Sequence, residues 1–216
     1  AMVVAQRNLL EIIKGVEVTS ETTVQDMVAT SDNIYTRIDG VIKGAQQVGE
    51  PIVKDGMVEI TMRVPIYETN GLAPALYDNL PAGKGGVDIA GGGENVAERG
   101  VATDDAGTED LQKIAFNLAG KKINPSMFPV IVDEKGNVVF DFSKIYDPKK
   151  GKFPKIVQAT KDILNEAGYK NAVKMIEVIE SSNGKITISN DSVKKVNWGK
   201  IGKTAASIGK FLLMLI

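Results

Sequence analysis

The 216-residue chain contains no cysteine, no histidine and a single tryptophan. Without cysteine and histidine it has no disulfide, Cys–His or Ser–His–Asp machinery, ordinary zinc site, iron–sulfur cluster or His-ligated haem. The chemistry left to it uses carboxylate, Lys, Ser, Tyr or Arg groups, and oxygen-ligated Mg²⁺ or Ca²⁺. Those residues form no recognisable catalytic constellation, and no cofactor or metal is expected. No run approaches the ~20 apolar residues that a membrane-spanning helix needs. No signal peptide is visible, because Ala1-Met2-Val3-Val4-Ala5 leads straight into a helical pattern. Ala1-Met2 reads as an expression remnant ahead of a truncated start, so the lack of cysteine says nothing about compartment.

What is present is globular in composition, with 43% hydrophobic and 25% charged residues. The length suits one large domain or two small ones. Charge is balanced overall but not locally. Residues 1–143 hold 12 basic and 21 acidic residues, a net of −9, whereas residues 144–216 hold 14 basic and 6 acidic, a net of +8. All 14 of those basic residues are lysines. A basic half suits anionic lipid, cell-wall polymer or nucleic acid, or simply a solvated surface. Arg and aromatic residues are scarce there, so no nucleic-acid partner is expected.

Periodicity predicts a helix over Val4–Lys14 stopped by Gly15, then a β-rich stretch from Val16 to Val24. A second helix follows, capped at Ser31-Asp32-Asn33 and striped by Ile34, Ile38, Val41 and Ile42. Two strands, Ala45–Lys54 and Met57–Ile66, flank Asp55-Gly56, a strong hairpin signal. Their alternation suits a half-buried antiparallel sheet. A short helix is expected over Leu72–Leu80. Eight of the 27 residues from Pro81 to Gly107 are glycine, which marks a linker or long loop. Lys84-Gly85-Gly86 lacks the entering strand and Gly-Lys-Ser/Thr of a phosphate loop. The acidic run Asp104, Asp105, Glu109, Asp110 lacks EF-hand spacing.

Beyond the linker, strands are predicted over Leu111–Leu118, Phe128–Val132 and Asn137–Phe142, the last two joined by the turn Asp133–Gly136. Pro148–Pro154 reads as a Lys-rich loop and Ile156–Ala167 as a helix. Lys174–Glu180 and Lys185–Ser189 form another hairpin. The expected fold is α+β, an antiparallel sheet with helices on one face, with a second, smaller α+β part and a C-terminal amphipathic helix. The expected organisation is residues 1–80, a bridge at 81–109, and residues 110–216.

On a helical wheel, Trp198, Ile201, Ala205, Ile208, Leu212, Leu215 and Ile216 share one side, opposite Lys200, Lys203 and Lys210. Gly199, Gly202 and Gly209 each weaken this helix by ~1 kcal/mol, so it needs a partner. The protein's own core, a membrane interface and another subunit are the three options. Burying four side chains of Phe211–Ile216 contributes on the order of 6–10 kcal/mol before ordering costs. The candidate contact residues for a partner or membrane surface are therefore Trp198, Ile201, Lys203, Ile208, Lys210, Phe211, Leu212, Leu215 and Ile216.

Arg7-Asn8-Leu9-Leu10-Glu11-Ile12-Ile13-Lys14-Gly15-Val16-Glu17-Val18, then Thr22-Thr23-Val24 and Ile34-Tyr35-Thr36-Arg37-Ile38-Asp39-Gly40, make a familiar order. With Gly44-Ala45, Val48 and the hairpin through Val64, residues 5–66 resemble the LPP-twenty family of bacterial envelope lipoproteins. They are also similar to the N-terminal region of flagellar assembly protein T. Asn124–Pro129 and Asp133–Gly136 resemble, more loosely, downstream parts of longer relatives. The resemblance implies a periplasmic or outer-membrane-associated α+β domain without catalysis. The family's lipoprotein members carry a lipidated cysteine that this chain lacks.

Two classes of function follow. The first is a non-enzymatic cell-envelope protein acting through its surfaces in assembly, scaffolding or adhesion, with an envelope protein or its own subunit as partner. The alternative is a carboxylate-based hydrolase of envelope polysaccharide, or a lipid or small-ligand carrier with a closed apolar cavity. Glu50, Glu59 and Glu68 are candidate acids for the hydrolase. On a hairpin and in turns, however, they read as ordinary exposed carboxylates.

Overall fold

The structure is a computed structural model that describes residues 1–80, 114–122, 126–159, 174–182, 184–201 and 211–215. It is α+β. Helix α1 (Met2–Lys14) ends at Gly15 as its periodicity requires. A two-stranded antiparallel hairpin follows, β1 (Glu17–Thr19) with β2 (Thr22–Thr23). The expected β-rich stretch stops there, because Thr23 caps a new helix, α2 (Val24–Thr30). The Thr23 hydroxyl accepts from the Asp26 N–H, and the Asp26 carboxylate accepts from the Thr23 N–H, a reciprocal capping box. Helix α3 (Asp32–Lys43) buries Ile34, Ile38 and Ile42.

Strands β3 (Gln46–Lys54) and β4 (Met57–Arg63) form the antiparallel hairpin expected across Asp55-Gly56. Both turn residues take positive φ, 52° and 74°, the geometry whose twist matches the flanking strands. The hairpin is not half-buried. Every residue of β3 is exposed, and only Ile60 and Met62 of β4 are partly covered. Helix α4 (Leu72–Tyr77) follows Gly71, where an added Cβ would lie 2.7 Å from the Pro65 and Ile66 carbonyl oxygens.

The remaining strands build one seven-stranded mixed sheet. They are β5 (Ile114–Asn117), β6 (Val130–Val132), β7 (Val138–Asp141), β8 (Lys155–Ala159), β9 (Lys174–Ser182), β10 (Lys185–Ile188) and β11 (Phe211–Leu215). Their order is β7-β6-β10-β9-β5-β11-β8. The expected hairpins β6–β7 and β9–β10 are antiparallel, whereas β10–β6, β9–β5, β5–β11 and β11–β8 are parallel. A short helix α5 (Asn190–Lys194) is capped by the Ser189 hydroxyl, which accepts from the Ser192 N–H.

Two expected helices are corrected. Residues 156–159 of the expected Ile156–Ala167 helix lie in β8, and residues 160–167 fall outside the described residues. Of the expected C-terminal amphipathic helix, Trp198–Lys200 form a 3-10 turn and Phe211–Leu215 form β11, which lies between β5 and β8, while residues 202–210 fall outside the described residues. A short continuous apolar run suits a strand flanked on both sides in a parallel sheet as well as it suits a helix. The Gly-rich segment 81–109, with the phosphate-loop and acidic-run candidates, lies outside the described residues.

The helices and the sheet share one apolar core. It joins Ile13, Ile34, Ile38, Leu72 and Leu76 to Ile114, Phe116, Phe128, Phe140, Ile176 and Ile186. The junction is aromatic. Phe128 meets Tyr67, Tyr77, Tyr146 and Phe153, with ring centroids 5.4–6.2 Å apart. Backbone bonds from Met127 N–H and Phe128 N–H to the Glu17 and Val18 carbonyls tie β1 to the same place.

Candidate interaction surface

Trp198 and Ile201 of the candidate contact set are buried in the chain's own core. The Trp198 indole N–H donates to the Val193 carbonyl at 2.9 Å, and its ring lies 5.9 Å from that of Phe140. Phe211, Leu212 and Leu215 are placed by their backbone in β11. Lys203, Ile208, Lys210 and Ile216 fall outside the described residues. The structure therefore does not gather the set on one exposed helix face.

The tyrosines at the aromatic junction serve the fold. Tyr67 O–H donates to the Met127 carbonyl, Tyr146 O–H to the Tyr67 carbonyl, and Tyr77 O–H to the Ser143 carbonyl. Burial, which opposes the phenolate, raises the pKa of all three above the usual tyrosine value. Near by, Asp147 is half-buried, and Lys149 N–H donates to its carboxylate at 3.0 Å. Asp133 is buried and accepts from Lys135 N–H, Asn137 N–H and the Asn137 amide, which fixes the β6–β7 turn.

The candidate acids do not converge. Glu50 lies in β3, Glu59 in β4 and Glu68 in the loop before α4, all exposed. Among the described residues no group of three or more acidic side chains is placed to hold a metal ion. None of the described helices is long and apolar enough to cross a membrane.

The feature that stands out is apolar and exposed. Of twelve large apolar side chains exposed among the described residues, nine lie on α1 or on the β3–β4 hairpin. They are Met2, Val3, Val4 and Ile12 on α1, and Val48, Ile52, Val53, Met57 and Val58 on the hairpin. Val53 and Met57 are 73% and 71% exposed. Between the two elements runs a groove of about 610 Å³. Helix α1 lines it with Val4, Ala5, Leu9 and Ile12, and β4 with Met57 through Ile60 and with Met62. The amphipathic pattern of α1 explains this. Ile13 is its buried residue, so Val4 and Ile12 look away from the core. Five of the nine, Val4, Ile12, Ile52, Met57 and Val58, line this groove, and exposed apolar area gathered in this way marks an interaction site in soluble proteins. The sequence reading missed it, because the alternation in β4 is the same for a half-buried strand and for a projecting ribbon.

No protein-family model matches the chain, and no curated protein matches it either.

Proposed function

We propose that this chain is a non-enzymatic protein of the bacterial cell envelope, periplasmic or outer-membrane-associated, and that it works in assembly or scaffolding by binding through the α1–hairpin surface. The observation that carries the reading is the concentration of exposed apolar side chains on α1 and the hairpin. Exposing them is unfavourable in water, by roughly 1.5–3 kcal/mol for each large side chain that a partner would otherwise cover. The resemblance of residues 5–66 to envelope lipoproteins supports the location. The lack of cysteine and histidine supports a role without covalent chemistry.

The test is cosedimentation of the chain with purified bacterial envelope fragments. Val53→Asp/Met57→Asp places two charges on the exposed hairpin without touching the core. The expected result is a bound fraction reduced at least about tenfold, since each charge removes on the order of 1 kcal/mol or more of apolar contact. The melting temperature should stay unchanged. Equal binding by wild type and variant would refute the surface, and failure of the wild type to bind would refute the location.

A further inference from the structure

We propose that Met57 is a methionine-oxidation site that turns this surface off: a peroxide converts its thioether to the sulfoxide, and the oxidised surface no longer holds its partner. This deepens the preceding reading and rests on its premise that the α1–hairpin surface is a binding surface.

The inventory of oxidisable groups narrows the choice. The chain has no cysteine, so no thiolate takes an oxidant first. Its single tryptophan, Trp198, is 4% exposed in the core. The thioethers remain. Six of the seven methionine side chains lie among the described residues, and burial separates them sharply. Met27 and Met127 are each 3% exposed, and Met62 and Met175 are half-covered. Met2 is 43% exposed and Met57 71%. Met57 owes its exposure to its place in the fold. It opens β4 directly after the Asp55-Gly56 turn, paired with Lys54, on a hairpin that projects away from the core. Its side chain also lines the groove, together with Met62 and with Val4, Leu9 and Ile12 of α1. The most accessible of these sulfurs is therefore on the proposed binding surface, and the two methionines of the core are shielded.

The chemistry is a two-electron oxygen transfer. A sulfur lone pair attacks one peroxide oxygen, the S–O bond forms as the O–O bond breaks, and the departing hydroxide leaves as water once it takes up the sulfoxide's proton. Sulfur is oxidised and the peroxide reduced. The product replaces an apolar contact by a strong hydrogen-bond acceptor. In the free chain water satisfies that acceptor, so the fold is undisturbed. A partner that covers the surface strips the water away, and burying an unpaired polar group is unfavourable. The modification thus acts on the bound state. It is reversible, because methionine sulfoxide reductases remove the oxygen as water while two thiols become a disulfide.

The test treats the full chain with dilute hydrogen peroxide and follows sulfoxide by peptide mass mapping alongside cosedimentation with envelope fragments. Met57 should be oxidised well ahead of Met27 and Met127. Binding should weaken about tenfold or more as the Met57 sulfoxide accumulates, with the melting temperature unmoved. Reductases for both sulfoxide epimers should restore it. Each variant is read as its own ratio of binding before and after peroxide, which cancels any effect of the substitution itself. Met57→Leu should bring that ratio close to one, whereas Met175→Leu, outside the surface, should leave it at the wild-type value. Full binding by a chain whose Met57 is completely oxidised would overturn the proposal and leave the surface standing. So would an undiminished peroxide effect in Met57→Leu, or a binding loss that tracks a falling melting temperature. Failure of the unoxidised chain to bind would instead remove the surface, and the switch with it.

Discussion

Phe128 stands where the N-terminal helices meet the sheet, 1% exposed, with four aromatic rings around it. Truncating it to alanine should lower stability by about 3–5 kcal/mol, read by chemical denaturation, because the surrounding rings cannot close on the cavity. Tyr67→Phe keeps the ring but leaves the Met127 carbonyl without its O–H donor, which should destabilise by about 1–3 kcal/mol. Tyr67, Tyr77 and Tyr146 also set an alkaline limit. A raised folded-state pKa contributes stability below the unfolded value near 10, and that stability is lost as pH rises through the folded value. Melting temperature should therefore fall steeply above about pH 10, as phenolate absorbance rises. A flat melting temperature from pH 8 to 12 would contradict the burial of these hydroxyls.

At the scale of elements, the most exacting test falls on β11. It lies between β5 and β8, so deleting residues 211–216 removes an interior strand and leaves β8 without its partner. The truncated chain should lose cooperative thermal unfolding, whereas loss of a peripheral helix would only shift the midpoint. The capping box of α2 has an acid sensitivity of its own. Hydrogen bonds from the Thr23 hydroxyl and then the Thr23 N–H hold the Asp26 carboxyl below its usual pKa. Its contribution is present above the unfolded value near 3.8 and is lost as pH falls through the lower folded one. Thr23→Ala, which removes the hydroxyl and keeps the N–H bond, should weaken that acid dependence of the melting curve.

How much was legible follows from the range of the forces involved. The Gly15 stop, the stripe of α3, the Asp55-Gly56 turn and the β9–β10 hairpin rest on local backbone chemistry and appear where their residues place them. The Thr23–Asp26 box was equally local, yet the threonines before it read as strand. Residues 156–159 and 211–215 were read as helix because a short apolar run carries no period of its own. What decides them is a pairing with strands distant in sequence. The candidate surface was hidden for a related reason, since no local pattern says whether the alternating face of β4 meets a core or open water.

Over the whole molecule, the chain divides between a shared interior and one apolar exterior. The interior joins the helices, the hairpin β1–β2 and the seven-stranded sheet through a single core. The exterior is α1 with the β3–β4 ribbon, and the central claim is that this surface is covered when the protein works. Hydrogen–deuterium exchange on the intact chain tests it most directly, first dilute, then concentrated, then with envelope fragments. Protection should rise across residues 47–64 and on α1 as the surface is covered, while β9 and β10 stay unchanged. Identical exchange of the ribbon under all three conditions would contradict it.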